Sequence, residues 1–256
     1  MMEYLLAFVF GAIIGSFLNV CIFRLPAGQS IVFPASRCPG CGTPLHLYDN
    51  IPILSYVLLR GRCRACHSAI SLRYPAVEAL TGLMFVLLLY RFGPLPVVAV
   101  YAAFVAALIV ISVIDFDHQI IPDVISLPGI VIGLLLSVLG YGPPLIDSAA
   151  GVLLGGGLLY AVAIGYHAMT GREGMGGGDI KLLAMIGAFL GWKNVLVTLV
   201  LGSLSGALIG IALILAHGGD SKAPIPFGPF LALGALCALL FGDPLVHWYL
   251  NITLPS

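Results

Sequence analysis

The chain has 256 residues, of which 60% are hydrophobic and only 9% are charged, and its mean hydropathy is +1.10. Because a soluble domain carries about 25% charged residues, these values exclude an ordinary soluble enzyme and indicate a polytopic membrane protein. The formal net charge is zero, but this says little about partners, since membrane proteins concentrate Lys and Arg in loops on one side. The expected partner is the lipid bilayer, and nucleic acid is not expected.

Eight apolar runs follow one another along the chain. A spanning helix needs about 20 residues, with about 17 as a lower limit, so the sixth run is short and is either re-entrant or lengthened by its flanks. The first run lacks a basic start and a small-residue cleavage site, which favours a retained helix over a signal peptide. The predicted fold class is an all-α polytopic membrane protein, a bundle of about eight transmembrane helices with a small cytoplasmic zinc-binding insert. The runs are 4–23, 76–92, 95–114, 124–140, 148–168, 180–191, 194–216 and 227–242.

The polar insert lies between the first and second runs and carries six arginines against a single acid, Asp49. The positive-inside rule therefore places it in the cytoplasm. Eight crossings then put nine of the eleven basic residues inside, among them Arg172, Lys181 and Lys222. The predicted domains are a first transmembrane helix, the cytoplasmic insert and a transmembrane core, at residues 1–23, 24–75 and 76–256.

Four cysteines of the insert form two C-x-x-C pairs separated by 21 residues. This spacing is typical of a four-thiolate zinc site, and a structural zinc supplies about 10 kcal/mol to an insert too small for its own core. Two disulfides, a redox dithiol and an iron site are the alternatives, although cytosolic disulfides are rare. We predict a structural zinc, because four thiolates leave no open position. The ligands are Cys38, Cys41, Cys63 and Cys66.

Two aspartates lie at the ends of apolar runs. A carboxylate there indicates a function, because inserting one at the bilayer centre costs about 2.5–3.5 kcal/mol of free energy. Asp115 ends the third run, where the helix dipole disfavours a negative charge. Asp179 follows three glycines, which leave room for a substrate backbone, and precedes the sixth run. Two predicted crossings separate the aspartates, so both lie at one membrane face. Paired carboxylates of which one keeps its proton suit the activation of water, which predicts an aspartyl hydrolase.

Structural roles compete with catalysis at several of these positions. Asp123 follows Pro122 and is predicted to cap the fourth helical run, and Asp179 is a possible cap of the sixth. Lys181 either pairs with Asp179 or faces the headgroups. Glu78 either contacts a cofactor or pairs with an arginine of the insert.

Six sequence motifs together resemble the bacterial type IV prepilin peptidases, also called leader peptidase/N-methyltransferases. The resemblance covers nearly the whole chain. The motifs are Gly15–Val20 with Arg24–Pro26, the two cysteine pairs flanking Tyr48–Pro52, Arg73–Glu78, Ile114–Asp117 through Asp123, Gly176–Leu182 and Ile225–Pro229.

The resemblance implies an intramembrane aspartyl protease of the GxGD type in which Asp115 and Asp179 form the catalytic pair. Such an enzyme cleaves type IV prepilins and the pseudopilins of type II secretion at the cytoplasmic side of the bacterial inner membrane, after the glycine that ends a short basic leader. Members with the cysteine insert also methylate the new N-terminal amine, commonly on Phe, with S-adenosylmethionine as methyl donor. Glu78 and Asp49 are candidates for contacting this cofactor, whose binding residues are not readable from the sequence.

Two other functions fit the same acids. A transporter would use them as a proton relay, with the insert as a regulatory domain, although paired broken helices in corresponding halves are missing from the sequence. A purely structural anchor for a secretion assembly would tolerate their loss.

Overall fold

The computed structural model describes residues 1–171, 174–217 and 225–253, and in these ranges the chain is helical, with no strand. The predicted all-α class is therefore confirmed. Two basic residues used for the topology, Arg172 and Lys222, lie outside the described residues. The helices are α1 Met2–Arg24, α2 Leu54–Leu58, α3 Arg73–Phe92, α4 Pro96–His118, α5 Asp123–Val138, α6 Leu145–Thr170, α7 Gly177–His217 and α8 Gly228–Thr253, with a 3-10 turn at Leu47–Asn50.

Five of these helices, α1, α3, α4, α6 and α7, are long and apolar enough to cross a membrane, and α5 and Gly228–Gly242 of α8 are shorter apolar helices. The chain is thus a multi-pass membrane protein. The sixth and seventh apolar runs both lie in α7, which is interrupted at Gly191, where φ is 77° and ψ is 169°. A count of eight crossings requires the two parts of α7 to cross separately, and it stays a prediction.

The chain divides into two compact units, residues 1–110 and 111–256. In the first unit, α1 packs directly on α3. A Cβ atom on Gly15 would lie 2.7 Å from the Cα of Glu78, and one on Gly11 would lie 2.9 Å from the Cα of Gly82. Small residues thus let the two helix backbones touch, as is common between membrane helices. The division at residues 23 and 75 stays a prediction.

In the second unit, α7 packs against α6 through another pair of glycines, Gly151 and Gly187, whose backbones meet. At the break in α7, a Cβ on Gly191 would lie 3.5 Å from Pro143 and 3.6 Å from Asp147. Both residues belong to the connection between α5 and α6 or to the start of α6. The first part of α7 therefore runs from the end that carries Asp179 to the end where α5 and α6 connect.

Candidate functional site

Asp115 lies in the last turn of α4 and is only 5% exposed. Its Oδ2 accepts a hydrogen bond of 2.9 Å from the backbone N–H of Gly228, the first residue of α8. Its own helix dipole disfavours the charge, but the N-terminal end of α8 stabilises it. A Cβ at Gly228 would lie 2.6 Å from the same oxygen, so only glycine lets the start of α8 approach this carboxyl group.

Asp179 is the third residue of α7. The negative charge of Asp115 acts on its carboxyl group, so the two side chains are close enough to repel each other. Gly178 seats the start of α7 tightly, because a Cβ there would lie 2.9 Å from the Cβ of Ile121. The structure thus brings the two aspartates together at one site, while their catalytic role stays a prediction.

Asp123 and Lys181 form an ion pair beside this site, in which the lysine Nζ lies 2.8 and 2.7 Å from the two carboxylate oxygens. The predicted cap at Asp123 is wrong, because the residue opens α5 after Pro122 and no side chain caps that helix. Lys181 therefore pairs with Asp123 and not with Asp179. Asp179 lies inside the first turn of α7, so it does not occupy the cap position either.

The four cysteine sulfurs of the insert lie within 4.8 Å of one another, and the Sγ atoms of Cys38 and Cys66 are 3.8 Å apart. Zinc–sulfur bonds of about 2.3 Å in a tetrahedron place the sulfurs about 3.8 Å apart. The donor set therefore fits a tetrathiolate zinc. Backbone N–H groups of Cys41 and then Gly40 lower the pKa of Cys38 to about 6, which favours the thiolate that binds metal.

The two cysteine pairs sit in equivalent backbone turns, which we call the first knuckle (37–44) and the second knuckle (62–69). In each, the N–H of the first cysteine donates to the carbonyl five residues later, at 3.0 and 2.9 Å. In each, the arginine before that cysteine forms a β-bridge with the residue seven positions further along the chain. Gly42 and His67 take the same left-handed position, with φ of 70° and 57°. His67 is thus a turn residue and does not belong to the sulfur cluster.

Glu78 is buried in the first unit, with 8% of its surface exposed. Its Oε2 accepts a hydrogen bond of 2.8 Å from the N–H of Ile53, and the Ser16 hydroxyl also interacts with the carboxyl group. The expected pairing with an arginine of the insert is not observed for Glu78. Instead, Asp49 pairs with Arg64 at 2.9 Å.

Comparison with known proteins identifies the family on both units of the chain. A family model described as the bacterial peptidase A24 N-terminal domain matches residues 9–92, and the model of the type IV leader peptidase family matches residues 102–211. A prepilin leader peptidase/N-methyltransferase of Aeromonas salmonicida (strain A449) is 39% identical over 97% of this chain and 94% of its own length.

Two further relatives carry the same name. The protein of Pseudomonas putida is 38% identical over 93% of this chain and 90% of its own length, and that of Burkholderia pseudomallei (strain 1026b) is 34% identical over 95% and 87%. The chain belongs to the type IV leader peptidase family. Family membership confirms the resemblance found in the sequence, and the transporter alternative finds no support. No solved structure matches the chain.

Sequence reasoning missed the two backbone donors that hold the buried carboxyl groups. Gly228 lies in the Ile225–Pro229 motif, which by itself indicates no role for it, and no local pattern marks Ile53. A signal existed only for Gly228, because Pro229 has no N–H and leaves the glycine as the exposed donor at the start of α8.

Proposed function

We propose that the chain is a membrane-embedded aspartyl peptidase that removes the leader of type IV prepilins or pseudopilins and then methylates the new N-terminal amine. The observation that carries the peptidase proposal is the meeting of two aspartates, the buried Asp115, which is bound to the N–H of Gly228, and the half-buried Asp179. The names of the relatives support both activities.

The two carboxyl groups divide the chemistry of hydrolysis between them. Close carboxyl groups do not both ionise easily, so they share one proton. Because an N–H donor favours the ionised form of its acceptor, Asp115 acts as the base and Asp179 holds the proton. Asp115 removes a proton from a water molecule, whose oxygen attacks the carbonyl carbon of the peptide bond. Asp179 gives its proton to the leaving amine.

The family and the charge distribution support a proposal for the substrate and for its side of the membrane. We assign cleavage after the glycine that ends a basic leader, at the cytoplasmic face of the bacterial inner membrane. The six arginines of the insert support this orientation through the positive-inside rule. The same side holds the cysteine insert, so its thiols face a reducing compartment that favours metal over disulfide.

Replacing either aspartate by asparagine tests the catalytic pair. Asp115→Asn and Asp179→Asn are each expected to lower prepilin cleavage in proteoliposomes at least about 1,000-fold, as losses of single catalytic groups do. Asp147→Asn is the matched control, because Asp147 accepts a hydrogen bond from the indole N–H of Trp192 at the other end of the second unit. Native cleavage by either site variant, read by mass spectrometry, would remove the pair from the mechanism.

The cysteine cluster holds a structural zinc in this proposal. Cys38→Ser is expected to lose the metal, because three remaining thiolates bind zinc far more weakly than a closed set of four. Cys21→Ser, in α1 and outside the cluster, is the control. Metal analysis that finds iron, or a folded native chain without metal, would contradict the zinc assignment.

A further inference from the structure

A cleft of about 1280 Å³ opens in the first unit, between the C-terminal part of α1, the insert and the start of α3. Typical small-molecule pockets measure about 300–1,000 Å³, so this cleft has room for a nucleoside cofactor together with the end of a peptide. Cys38 and Cys63, the first cysteines of the two knuckles, both line it. The metal centre therefore shapes one wall of the cleft.

Most charged side chains on the cleft wall are already engaged. Arg24 donates to the carbonyls of Ser30 and Pro34, at 2.9 and 2.7 Å. Arg64 and Asp49 pair with each other. In the part of the chain that the structure describes, this leaves one anion without an ionic partner and one arginine whose side chain has neither an ion pair nor a hydrogen bond. They are Glu78 and Arg37.

Glu78 is the more demanding of the two, because it is more than nine-tenths buried. The backbone N–H of Ile53 and the Ser16 hydroxyl contact its carboxyl group, and a buried charge without an ionic partner is costly. Ionisable residues at membrane helices that carry such a cost mark functional sites by default. Gly15 lets α1 come close at this point, so the packing of the unit is built around the carboxyl group.

We propose that this cleft is the methyl-transfer site, in which Glu78 binds the newly exposed N-terminal ammonium group and takes its proton, while Arg37 binds the carboxylate of the methyl donor. The inference rests on the proposed function in requiring that the chain methylates its product. S-adenosylmethionine supplies a methyl group on a sulfonium, which the neutral amine takes as the methyl–sulfur bond breaks and sulfur keeps the electron pair. Glu78 ends protonated and the product amine carries the positive charge.

The residues present fit this cofactor. Its amino-acid carboxylate needs a cation, which Arg37 provides, and its adenosine needs an apolar wall, which the cleft offers through Phe17, Phe23 and Phe33. Arginine suits a carboxylate because its planar fork binds both oxygens.

A peptide that already has a free N-terminal Phe separates methylation from cleavage. With labelled S-adenosylmethionine at about neutral pH, Glu78→Gln is expected to methylate this peptide at least about 100-fold more slowly than the native chain, the contribution of a general base. Glu3→Gln is the control, since Glu3 is exposed in the first turn of α1 and outside the cleft. Both variants should cleave a prepilin at the native rate, which also shows that they fold.

The pH dependence distinguishes a proton acceptor from a structural residue. An N-terminal amine has a pKa of about 7.7–8.0. Without the Glu78 carboxylate, the Glu78→Gln variant can methylate only amine that has already lost its proton to water. Its rate should rise about tenfold per pH unit up to that range, so its deficit against the native chain should narrow as the pH approaches the amine pKa and become constant above it. The groups facing Glu78 are the Ser16 hydroxyl and the Ile53 N–H, neither of which titrates there. A constant deficit would contradict the proton transfer.

The equivalent knuckles supply a matched pair for the cofactor. Arg37 and Arg62 occupy the same backbone position, but only Arg37 lines the cleft. In calorimetry with S-adenosylhomocysteine, Arg37→Gln is expected to bind about tenfold more weakly, since a charge-assisted hydrogen bond is lost. Arg62→Gln and Glu78→Gln should bind like the native chain. Equal weakening in the two arginine variants would overturn the role of Arg37, and loss of binding in Glu78→Gln would place that carboxyl group on the cofactor.

Two outcomes separate this inference from the proposed function. Failure of the native chain to methylate the free-amine peptide would overturn the methyltransferase function and the site with it. If the native chain methylates the peptide and Glu78→Gln does so at the same rate, this inference alone is overturned. An equal loss of methylation and cleavage in Glu78→Gln would also overturn it, because Glu78 would then support the peptidase activity as well.

Discussion

Glu78 in the first unit and Asp115 in the second are anchored in the same way but have different neighbours. Each is buried, and each carboxyl group accepts one backbone N–H from a distant residue, Ile53 at 2.8 Å and Gly228 at 2.9 Å. The charge of Asp115 also acts on a second acid, Asp179, whereas Glu78 has no second acid and no cation in contact among the residues that the structure describes. One N–H orients a carboxyl group without neutralising it. In the proposed peptidase a second acid makes an acid–base pair that activates water, while in the proposed methyl-transfer site a single carboxyl group is the proton acceptor.

A glycine stands beside each of these carboxyl groups, and the two glycines are crowded differently. A Cβ on Gly228 would meet Oδ2 of Asp115 at 2.6 Å, whereas a Cβ on Gly15 would meet the backbone of Glu78, at 2.7 Å from its Cα. The first substitution moves the functional group itself, and the second moves the helix that carries it. Alanine at either position therefore tests whether the two sites are independent.

The largest effect is expected for Gly228→Ala. The methyl group displaces the Asp115 carboxyl group from its N–H donor, and misplacement of a catalytic group by about 1 Å costs about 100-fold in rate. Prepilin cleavage should fall by this factor, while methylation of the free-amine peptide stays native. Gly157→Ala is the control, because no atom lies within 4 Å of a Cβ there. A parallel loss of both activities would mean that the two sites share Gly228.

Gly15→Ala is expected to have a smaller effect, on the other site. The added methyl group pushes α1 away from α3, and such overpacking costs about 1–3 kcal/mol of stability. Because Glu78 shifts with α3, the methylation rate should fall about tenfold, as expected for a displacement smaller than that of Asp115 in Gly228→Ala. The cleavage rate should change little. Thermal unfolding and the two activity assays measure these effects on one sample. A stable variant with native methylation would show that α1 does not position Glu78.

The smallest effect is expected for the ion pair beside the aspartates. Lys181 and Asp123 are 38% and 53% exposed, and exposed pairs contribute about 0.2–1 kcal/mol. Lys181→Met should therefore lower cleavage less than about fivefold. The exchange Lys181→Asp with Asp123→Lys should recover most of the loss in a double-mutant cycle. A loss as large as that of Asp179→Asn would instead put Lys181 in contact with the substrate.

The sequence predicts those features that depend on local pattern. The first run, 4–23, appears as α1 from Met2 to Arg24, because apolar length alone defines a membrane helix. The sixth and seventh runs are separated within two residues of the break at Gly191. The C-x-x-C spacing predicts the sulfur cluster, since each pair closes its own turn before the pairs meet.

Contacts between residues far apart in the chain cannot be predicted from local sequence patterns. Asp123 has the local pattern of a helix cap, but a lysine 58 residues later takes its carboxylate. Asp115 and Gly228 are 113 residues apart, so no spacing rule connects them. The alternative in which Glu78 pairs with an arginine of the insert fails for the same reason, because the folded insert offers it a backbone N–H instead.

The break at Gly191 has a consequence for the lipid around the second unit. The part of α7 from 177 to 190 has fourteen residues, about 21 Å of helix, and the sixteen residues of α5 make about 24 Å. Both are shorter than the hydrocarbon core of about 30 Å, so for the predicted separate crossing of 177–190 we expect the bilayer to thin locally to match them. Such thinning would draw headgroups and water inward toward Asp115 and Asp179. For the proposed peptidase we therefore expect the cleavage rate to depend on the acyl-chain length of the surrounding lipid, because thinning would bring water, the second reactant of hydrolysis, to the aspartates.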